Sequence, residues 1–203
     1  MLDPRFDQEF REMCGGLICG VDEAGRGPLA GPVYAAAVIL SPEYPIIGLN
    51  DSKKLSEKKR EALFDVITEK AIAYSVSMVD AKTIDEINIL QATFLAMRTA
   101  VENLSVKPDY ALIDGNGKPG LSVTEETVIK GDAKSVSIAA ASILAKVSRD
   151  RYMKEADEKY PEYQFAKHKG YGTKLHYEMI AQYGICEEHR RSFLKKILGE
   201  NNG

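Results

Sequence analysis

The residues best suited to chemistry in this chain are acids that stand where apolar runs stop. Gly16 to Val21 (GLICGV) reads as a short strand, and Asp22 and Glu23 follow it at once. Tyr110 to Ile113 reads as a buried strand ending in Asp114-Gly115, and Thr124 to Lys130 as another running into Gly131-Asp132. In open α/β sheets ligands collect at the carboxyl ends of the strands, so the first three acids can converge there. Packed carboxylates repel each other and must hold protons or bind cations. Hard oxygen donors suit Mg²⁺ or Mn²⁺, in sites completed by water and substrate phosphate. Two such ions would activate a water and stabilise the leaving oxygen of a phosphodiester. The bland alternative makes each acid a turn cap; four acids at comparable places weaken it, although spacing alone leaves Asp132 open.

The turn after the first pair is Ala24-Gly25-Arg26-Gly27-Pro28-Leu29-Ala30-Gly31-Pro32. Gly25 and Gly27 permit close backbone approach to a sugar or phosphate, and Arg26 adds a positive fork. A dinucleotide loop is excluded by context, because Pro28 and Pro32 interrupt the helix that would hold the pyrophosphate. Positive charge is concentrated in two stretches. Asn50 to Arg60 carries five basic residues against two acidic, and Lys167 to Lys196 seven against three, with tyrosines at 160, 163, 171, 177 and 183 in and just before the latter. Cations beside aromatic faces suit a nucleic-acid groove, against the plainer reading of a solvated helical surface. Cys14, Cys19, Cys186 and His189 have no regular zinc spacing, and the three cysteines read as buried thiols. No nucleophile elbow is present, and His168, His176 and His189 read as contacts or structural groups rather than a catalytic base.

The elements that must position these groups follow from patterning. Tyr34 to Leu40 reads as a second strand closed by Pro42 and Pro45, and Ala71 to Val79 as a half-buried third. Ser56 caps a helix carrying Leu63, Val66 and Ile67. Asn88 to Leu104 and the long stretch from Lys134 have helical spacing, and two short helices fall near 174–183 and 188–198. The order predicts an α/β domain with a mixed sheet, residues 1–160, and a helical C-terminal extension of the same unit, residues 161–203. With 203 residues, 44% hydrophobic and 28% charged, the chain can bury an ordinary core. No apolar run reaches the roughly 18 residues of a membrane span, and the charged N-terminus is unlike a secretory signal. Three cysteines, an odd number, point to reduced thiols and a cytoplasmic protein. The net charge of −3 by itself argues weakly against a nucleic-acid partner, a reading that the uneven spread of charge revises.

Six segments, in order over nearly the whole chain, make it resemble the bacterial type 2 ribonucleases H, the ribonuclease HII family. They are GVDEAGRGPLAGPVYAAAVIL (20–40), NDSKKLSEKKRE (50–61), ALIDGN (111–116), KGDAKSVSIAAASILAKVSRD (130–150), HKGYGTKLH (168–176) and HRRSF (189–193). The first and fourth are long enough to be highly specific, and Arg26 between the glycines separates the chain from the related type 3 enzymes. The resemblance implies a ribonuclease H-like fold, with a five-stranded mixed sheet flanked by helices and a small helical C-terminal region. It implies that Asp22, Glu23, Asp114 and Asp132 form one metal-binding set for two Mg²⁺ or Mn²⁺ ions, with Asp22 bridging them. It also implies an endonuclease that cuts the RNA strand of RNA–DNA hybrids, and cuts 5′ of ribonucleotides embedded in duplex DNA, leaving 3′-hydroxyl and 5′-phosphate ends.

Carried over by position, Gly25, Arg26 and Gly27 match the loop that reads the ribose 2′-hydroxyl, the one group that distinguishes RNA from DNA at a sugar. Tyr171 matches a tyrosine that stacks on the sugar following the junction. Lys53 and Lys54 match a backbone-phosphate contact, and Ser142 and Lys146 are further candidates for that task. Many relatives carry a proline shortly after HRxSF, whereas Phe193 is followed here by Leu-Lys-Lys-Ile. A non-catalytic hybrid-binding protein on the same scaffold is the rival reading; it gains nothing from clustered negative charge beside phosphate. The expected partners are RNA–DNA hybrid and ribonucleotide-containing duplex DNA, no membrane, and a monomeric enzyme.

Overall fold

Strand formation follows the apolar runs, and the partners of each run decide where it stops. The computed structural model describes residues 2–199. Ile18–Ala24 (β1), Val33–Ile39 (β2) and Ala73–Val79 (β3) form an antiparallel meander; Tyr110–Asp114 (β4) and Thr124–Val128 (β5) add in parallel, giving the order β3-β2-β1-β4-β5. The first strand runs further than its apolar residues. Its parallel ladder with β4 ends at Val21↔Ile113, but its antiparallel ladder with β2 continues through Asp22↔Ala36 to Ala24↔Tyr34. Asp22 and Glu23 therefore lie inside β1, not after it, at the level where β4 has already ended in Asp114. In β3 the Ala73, Ser75 and Val79 side faces the core, and Tyr74 and Met78 are exposed.

Helices cover both faces. Ala81–Glu102 (α3) packs Ala92, Ala96, Met97 and Ala100 against Val21, Val33, Ala35 and Ile113. Val136–Lys159 (α4) lays Ala139, Ala140, Ile143 and Leu144 on Ala36 and Val38, and Glu57–Lys70 (α2) adds Ile67. Small residues allow α4 to approach the sheet closely: a Cβ on Gly20 would overlap the Ser137 backbone. The expected cap at Ser56 forms, accepting from Lys59 N (3.4 Å), and Ser135 caps α4 in the same way, accepting from Ile138 N (3.1 Å).

Two features differ from the patterning. Arg5–Cys14 is a helix (α1) whose Phe6, Phe10 and Cys14 pack on Ile18, Leu112, Val128 and Ile138. The expected helix start at Asn88 is a break inside α3, with φ of 66°. There the Asn88 side chain accepts from Leu90 N and Gln91 N (3.0 and 3.1 Å), capping a second helical segment. Beyond Tyr160 come Phe165–His168 (α5), Lys174–Tyr183 (α6) and Arg191–Leu198 (α7); residues 200–203 of the expected extension lie outside the described residues. This region bonds back to the turn after β1, through Leu29 N to Gly170 O, Gly31 N to Glu188 O and Arg190 N to Leu29 O, each 2.8 Å.

Candidate active site

Asp22, Glu23 and Asp114 come within electrostatic reach of one another at the ends of β1 and β4, and Asp132, in the turn after β5, comes within reach of Asp114. Asp22 is only 5% exposed and Asp132 7%. Burial, then the neighbouring Glu23 and Asp114 charges, push the Asp22 carboxyl well above the ordinary aspartate range. Burial also raises Glu23, with Arg26 opposing and Asp114 assisting, and burial followed by Asp114 and Asp51 raises Asp132. Asp114 is held from below: its Oδ1 accepts the N–H of Gly131 at 2.6 Å and of Asp132 at 3.3 Å. Lys130 enters this turn with φ of 56°, and a Cβ on Gly131 would press on Ile138, Asp114 and Val128. A side chain at 131 would have to displace the Ile138 tip and crowd Asp114 and Val128.

This donor set fits divalent cations. It offers hard carboxylate oxygens whose crowding a cation would relieve. Among the described residues, no three acidic, histidine or cysteine side chains already close round one point as a finished metal cage. Magnesium sites of the open kind, completed by water and phosphate, need no such cage.

Lys53 and Lys54 lie in a single 3₁₀ turn, Ser52–Lys54, whose N-cap Asp51 accepts from Lys53 N at 2.9 Å. Burial acts to lower Lys53, but Asp132, Asp22, Asp51 and Asp114 outweigh it and raise its pKa. Its ammonium therefore faces the acid cluster. Lys54 is exposed and 3.8 Å from Asp51. Two of the sequence candidates are placed otherwise than expected. Ser142 is 5% exposed and bonded to Ser52 Oγ at 2.9 Å, and its hydroxyl lies near enough to Asp22 to oppose the rise of that carboxyl's pKa, so it has little surface for a phosphate. Lys146 is engaged by Asp150 at 2.7 Å, a carboxylate that also lies 3.8 Å from Arg60.

Gly25 (φ 97°) opens the loop between β1 and β2, and Arg26 and Gly27 are exposed at its tip. Arg26 reaches Glu23 at 3.5 Å. Tyr171, 44% exposed, belongs to the neighbouring surface, joined to the loop by the Leu29–Gly170 bond. Between them runs Arg149 of α4. It donates to Pro32 O and Ala30 O (both 3.1 Å), and its guanidinium carbon lies 5.8 Å from the Tyr171 ring centroid.

Sequence reasoning missed Arg149 and Arg190 as buried supports of this loop, Asp51 as a neighbour of Asp132, and Ser52 as the partner of Ser142. The basic tail had included Arg190 among its surface charges, yet it is fully buried. Both arginines lie in segments that matched the family, VSRD and HRRSF, and that was the available signal. The histidines are structural. His176 Nδ1 bonds Tyr171 O (3.0 Å), its Nε2 meets His189 Nε2 (3.1 Å), and His189 Nδ1 accepts from Cys186 N (3.0 Å).

A five-stranded mixed sheet of this order, flanked by helices and with acids gathered where adjoining strands end, is the ribonuclease H-like fold. A ribonuclease H2 structure from Pyrococcus horikoshii superposes with a TM-score of 0.76 at 31% identity, over 91% of this chain and 97% of that one. A ribonuclease HII from Archaeoglobus fulgidus, solved with PCNA, gives 0.67 at 29% identity, over 86% and 93%. The family model for ribonuclease HII matches residues 19–196. The ribonuclease HII of Caldicellulosiruptor bescii is 64% identical over 182 residues, 90% of this chain and 88% of that protein. That of Acinetobacter baylyi is 61% identical over 178 residues, 87% and 94%. The chain belongs to the ribonuclease HII family, type 2 ribonucleases H, metal-dependent endoribonucleases of RNA–DNA hybrids.

Proposed function

We propose that this enzyme cuts the RNA strand of hybrids and the 5′ side of single ribonucleotides in duplex DNA, by two-metal hydrolysis that leaves 3′-hydroxyl and 5′-phosphate ends. The observation that carries this reading is the crowding of Asp22, Glu23 and Asp114 beside Asp132, adjoining a Gly25-Arg26-Gly27 loop whose Arg26 and Gly27 are exposed. These four acids would hold Mg²⁺ or Mn²⁺, and Asp22 is the most buried of them, beside the charges of Glu23 and Asp114. Such ions, when bound, supply a nucleophilic water and charge stabilisation at the leaving oxygen. The chain supplies the rest. Gly131 N–H and Asp132 N–H orient Asp114, and the Ser142 hydroxyl lies near Asp22 and favours its charged form. Lys53 sets a positive charge beside the acids, where a scissile phosphate would otherwise be repelled. Lys54 serves the flanking backbone.

The loop and Tyr171 are read as the specificity device. Backbone groups at Gly25, Arg26 and Gly27 meet the ribose 2′-hydroxyl, and the exposed Tyr171 ring, with Arg149 beside it, takes the apolar face of the next deoxyribose. Among the described residues Cys14, Cys19 and Cys186 are free thiols, in keeping with a cytoplasmic enzyme, and we expect a monomer in sedimentation.

The test uses a labelled DNA duplex with one ribonucleotide, incubated with Mg²⁺ or Mn²⁺, beside an all-DNA duplex and an Asp114→Asn protein. A single metal-dependent cut 5′ to the ribonucleotide, absent from both controls, is the expected result. Binding without cutting would instead support a hybrid-binding protein, and equal cutting of all-DNA would remove the specificity reading.

A further inference from the structure

The carbonyls of the 25–31 loop converge on one buried side chain. Arg190 directs all five of its N–H donors at four of them: Nε to Gly31 O (2.9 Å), Nη1 to Arg26 O (3.0 Å) and Pro28 O (2.9 Å), Nη2 to Gly25 O (2.6 Å) and Gly31 O (2.7 Å). A buried guanidinium is costly unless its donors are met, and here backbone dipoles meet every one. No other side chain has this reach, since lysine offers three donors on a point charge and cannot span a fork of four oxygens.

The consequence lies on the loop's opposite side. A trans peptide sets its N–H opposite its C=O, and no cis bond occurs among the described residues. The carbonyls of Gly25 and Arg26, turned inward to Arg190, therefore turn the N–H groups of Arg26 and Gly27 outward. The same loop illustrates the rule: Pro28 C=O is held by Arg190, and the next N–H, that of Leu29, faces away to Gly170 O at 2.8 Å. For Arg26 and Gly27 no acceptor among the described residues takes the outward N–H, and both residues are exposed. Two adjacent unmet N–H groups form a concave donor pair of the kind that receives an oxygen.

We propose that Arg190 is a positioning residue for ribose recognition, holding the loop so that Arg26 N–H and Gly27 N–H converge on the substrate 2′-oxygen. This rests on the reading that the loop meets the 2′-hydroxyl. Arg190 touches no substrate. It acts through four carbonyls, and its neighbour Arg149 fastens the far end of the loop at Ala30 and Pro32.

The experiment compares binding of a duplex carrying one ribonucleotide with binding of the all-DNA duplex, by fluorescence anisotropy with Mg²⁺ present, in Asp114→Asn protein with and without Arg190→Lys. With Arg190 intact the ribonucleotide duplex binds more tightly. Arg190→Lys should reduce that preference by about fivefold or more, the scale of one or two lost hydrogen bonds, while all-DNA affinity changes less than about twofold. General damage to the fold would weaken both duplexes together. A preference that survives Arg190→Lys overturns the role of Arg190; no preference with Arg190 intact overturns the loop reading itself. A second measurement does not depend on the variant folding. In ¹⁵N-labelled Asp114→Asn protein, the Arg26 and Gly27 amide resonances should shift with the ribonucleotide duplex and not with all-DNA. Amides indifferent to the ribonucleotide would also overturn the proposal.

Discussion

Asp114 and Asp132 are joined through the backbone of the second: Asp132 N–H donates to Asp114 Oδ1 at 3.3 Å, beside the shorter bond from Gly131 N–H. One carboxylate oxygen thus fixes the turn that delivers the other carboxylate. An asparagine at 114 keeps an acceptor oxygen there and loses the charge. Asp114→Asn should therefore melt within a few degrees of the parent, while metal-dependent cleavage of an RNA–DNA hybrid falls by about 10²-fold or more, the scale for one preorganised electrostatic group. Asp114→Ala, which leaves Gly131 N–H unmet, should also lose about 1–3 kcal/mol of stability. EDTA should abolish cleavage by the parent, and Mg²⁺ or Mn²⁺ restore it. Cleavage by Asp114→Asn within a few fold of the parent would remove this residue from the site.

The loop glycines are needed for different reasons. Gly25 has φ of 97°, and a Cβ there would overlap Arg149 Nε and Cδ. Gly25→Ala should cost about 2–4 kcal/mol, from backbone strain together with overpacking against a held side chain. Gly27 has open space round its Cβ position and no positive φ. Gly27→Ala should leave denaturant stability within about 1 kcal/mol. Its methyl group would stand where the proposed 2′-oxygen contact forms, so kcat/KM on a single-ribonucleotide duplex should drop at least about tenfold. Equal and small effects of both changes on stability would contradict the clamp geometry.

How far the sequence reached depends on whether a feature is local. Alternation over Ala73–Val79 and the hydroxyl cap at Ser56 are local, and they fold as read. The acids at strand ends were legible because β4 stops where its apolar residues stop. The end of β1 was not, because its last residues are held by β2, not by their own hydrophobicity. α1 carries few apolar residues and exists by docking Phe6 and Phe10 on the sheet. Arg149 and Arg190 were the least legible: a charged residue reads as surface unless one knows which distant carbonyls will receive it, and for Arg190 those lie about 160 residues earlier. Asn88 breaks a helix through a positive φ that no pattern of apolar residues announces.

α1 is also a capping device. Asp7, fully buried, accepts Ser137 N–H at 2.9 Å in the first turn of α4, the helix that lies across β1 and carries Ser142. A carboxylate is favoured at a helix N-terminus, and its loss would leave a buried donor unmet. Asp7→Ala should destabilise the fold by about 1–3 kcal/mol in urea melts. Asp7→Asn, which retains an acceptor oxygen, should cost less. Since α4 carries Ser142 beneath Asp22, the alanine variant should also lose some cleavage rate at temperatures well below its melting point. An alanine variant as stable as the parent would show that α1 is dispensable.

The histidine cluster makes acid stability a property of the C-terminal region. His176 Nδ1–H donates to Tyr171 O, so its Nε2 is an acceptor and receives His189 Nε2–H; His189 Nδ1 is then the acceptor for Cys186 N–H. Every ring nitrogen in this chain of bonds is used by neutral imidazoles, and a proton added to either ring would place two donors face to face. Burial, then for His189 the adjacent His176, lowers both rings to about 4, and burial lowers His168 as well. The unfolded chain takes up these protons near pH 6.5 and the folded one only near 4, so stability is full above pH 6.5 and is lost as pH falls through that window. Each of the two rings should account for about 2–3 kcal/mol between pH 7 and pH 4.5. The carboxyls of Asp22, Glu23 and Asp132, raised in the folded state, act in the opposite sense at low pH, so the comparison is made against His189→Gln. That variant should be less stable at pH 7 and show a pH dependence shallower by about 2–3 kcal/mol over the same interval, by urea unfolding at each pH. Parallel curves for the two proteins would mean that His189 is not held neutral by the fold.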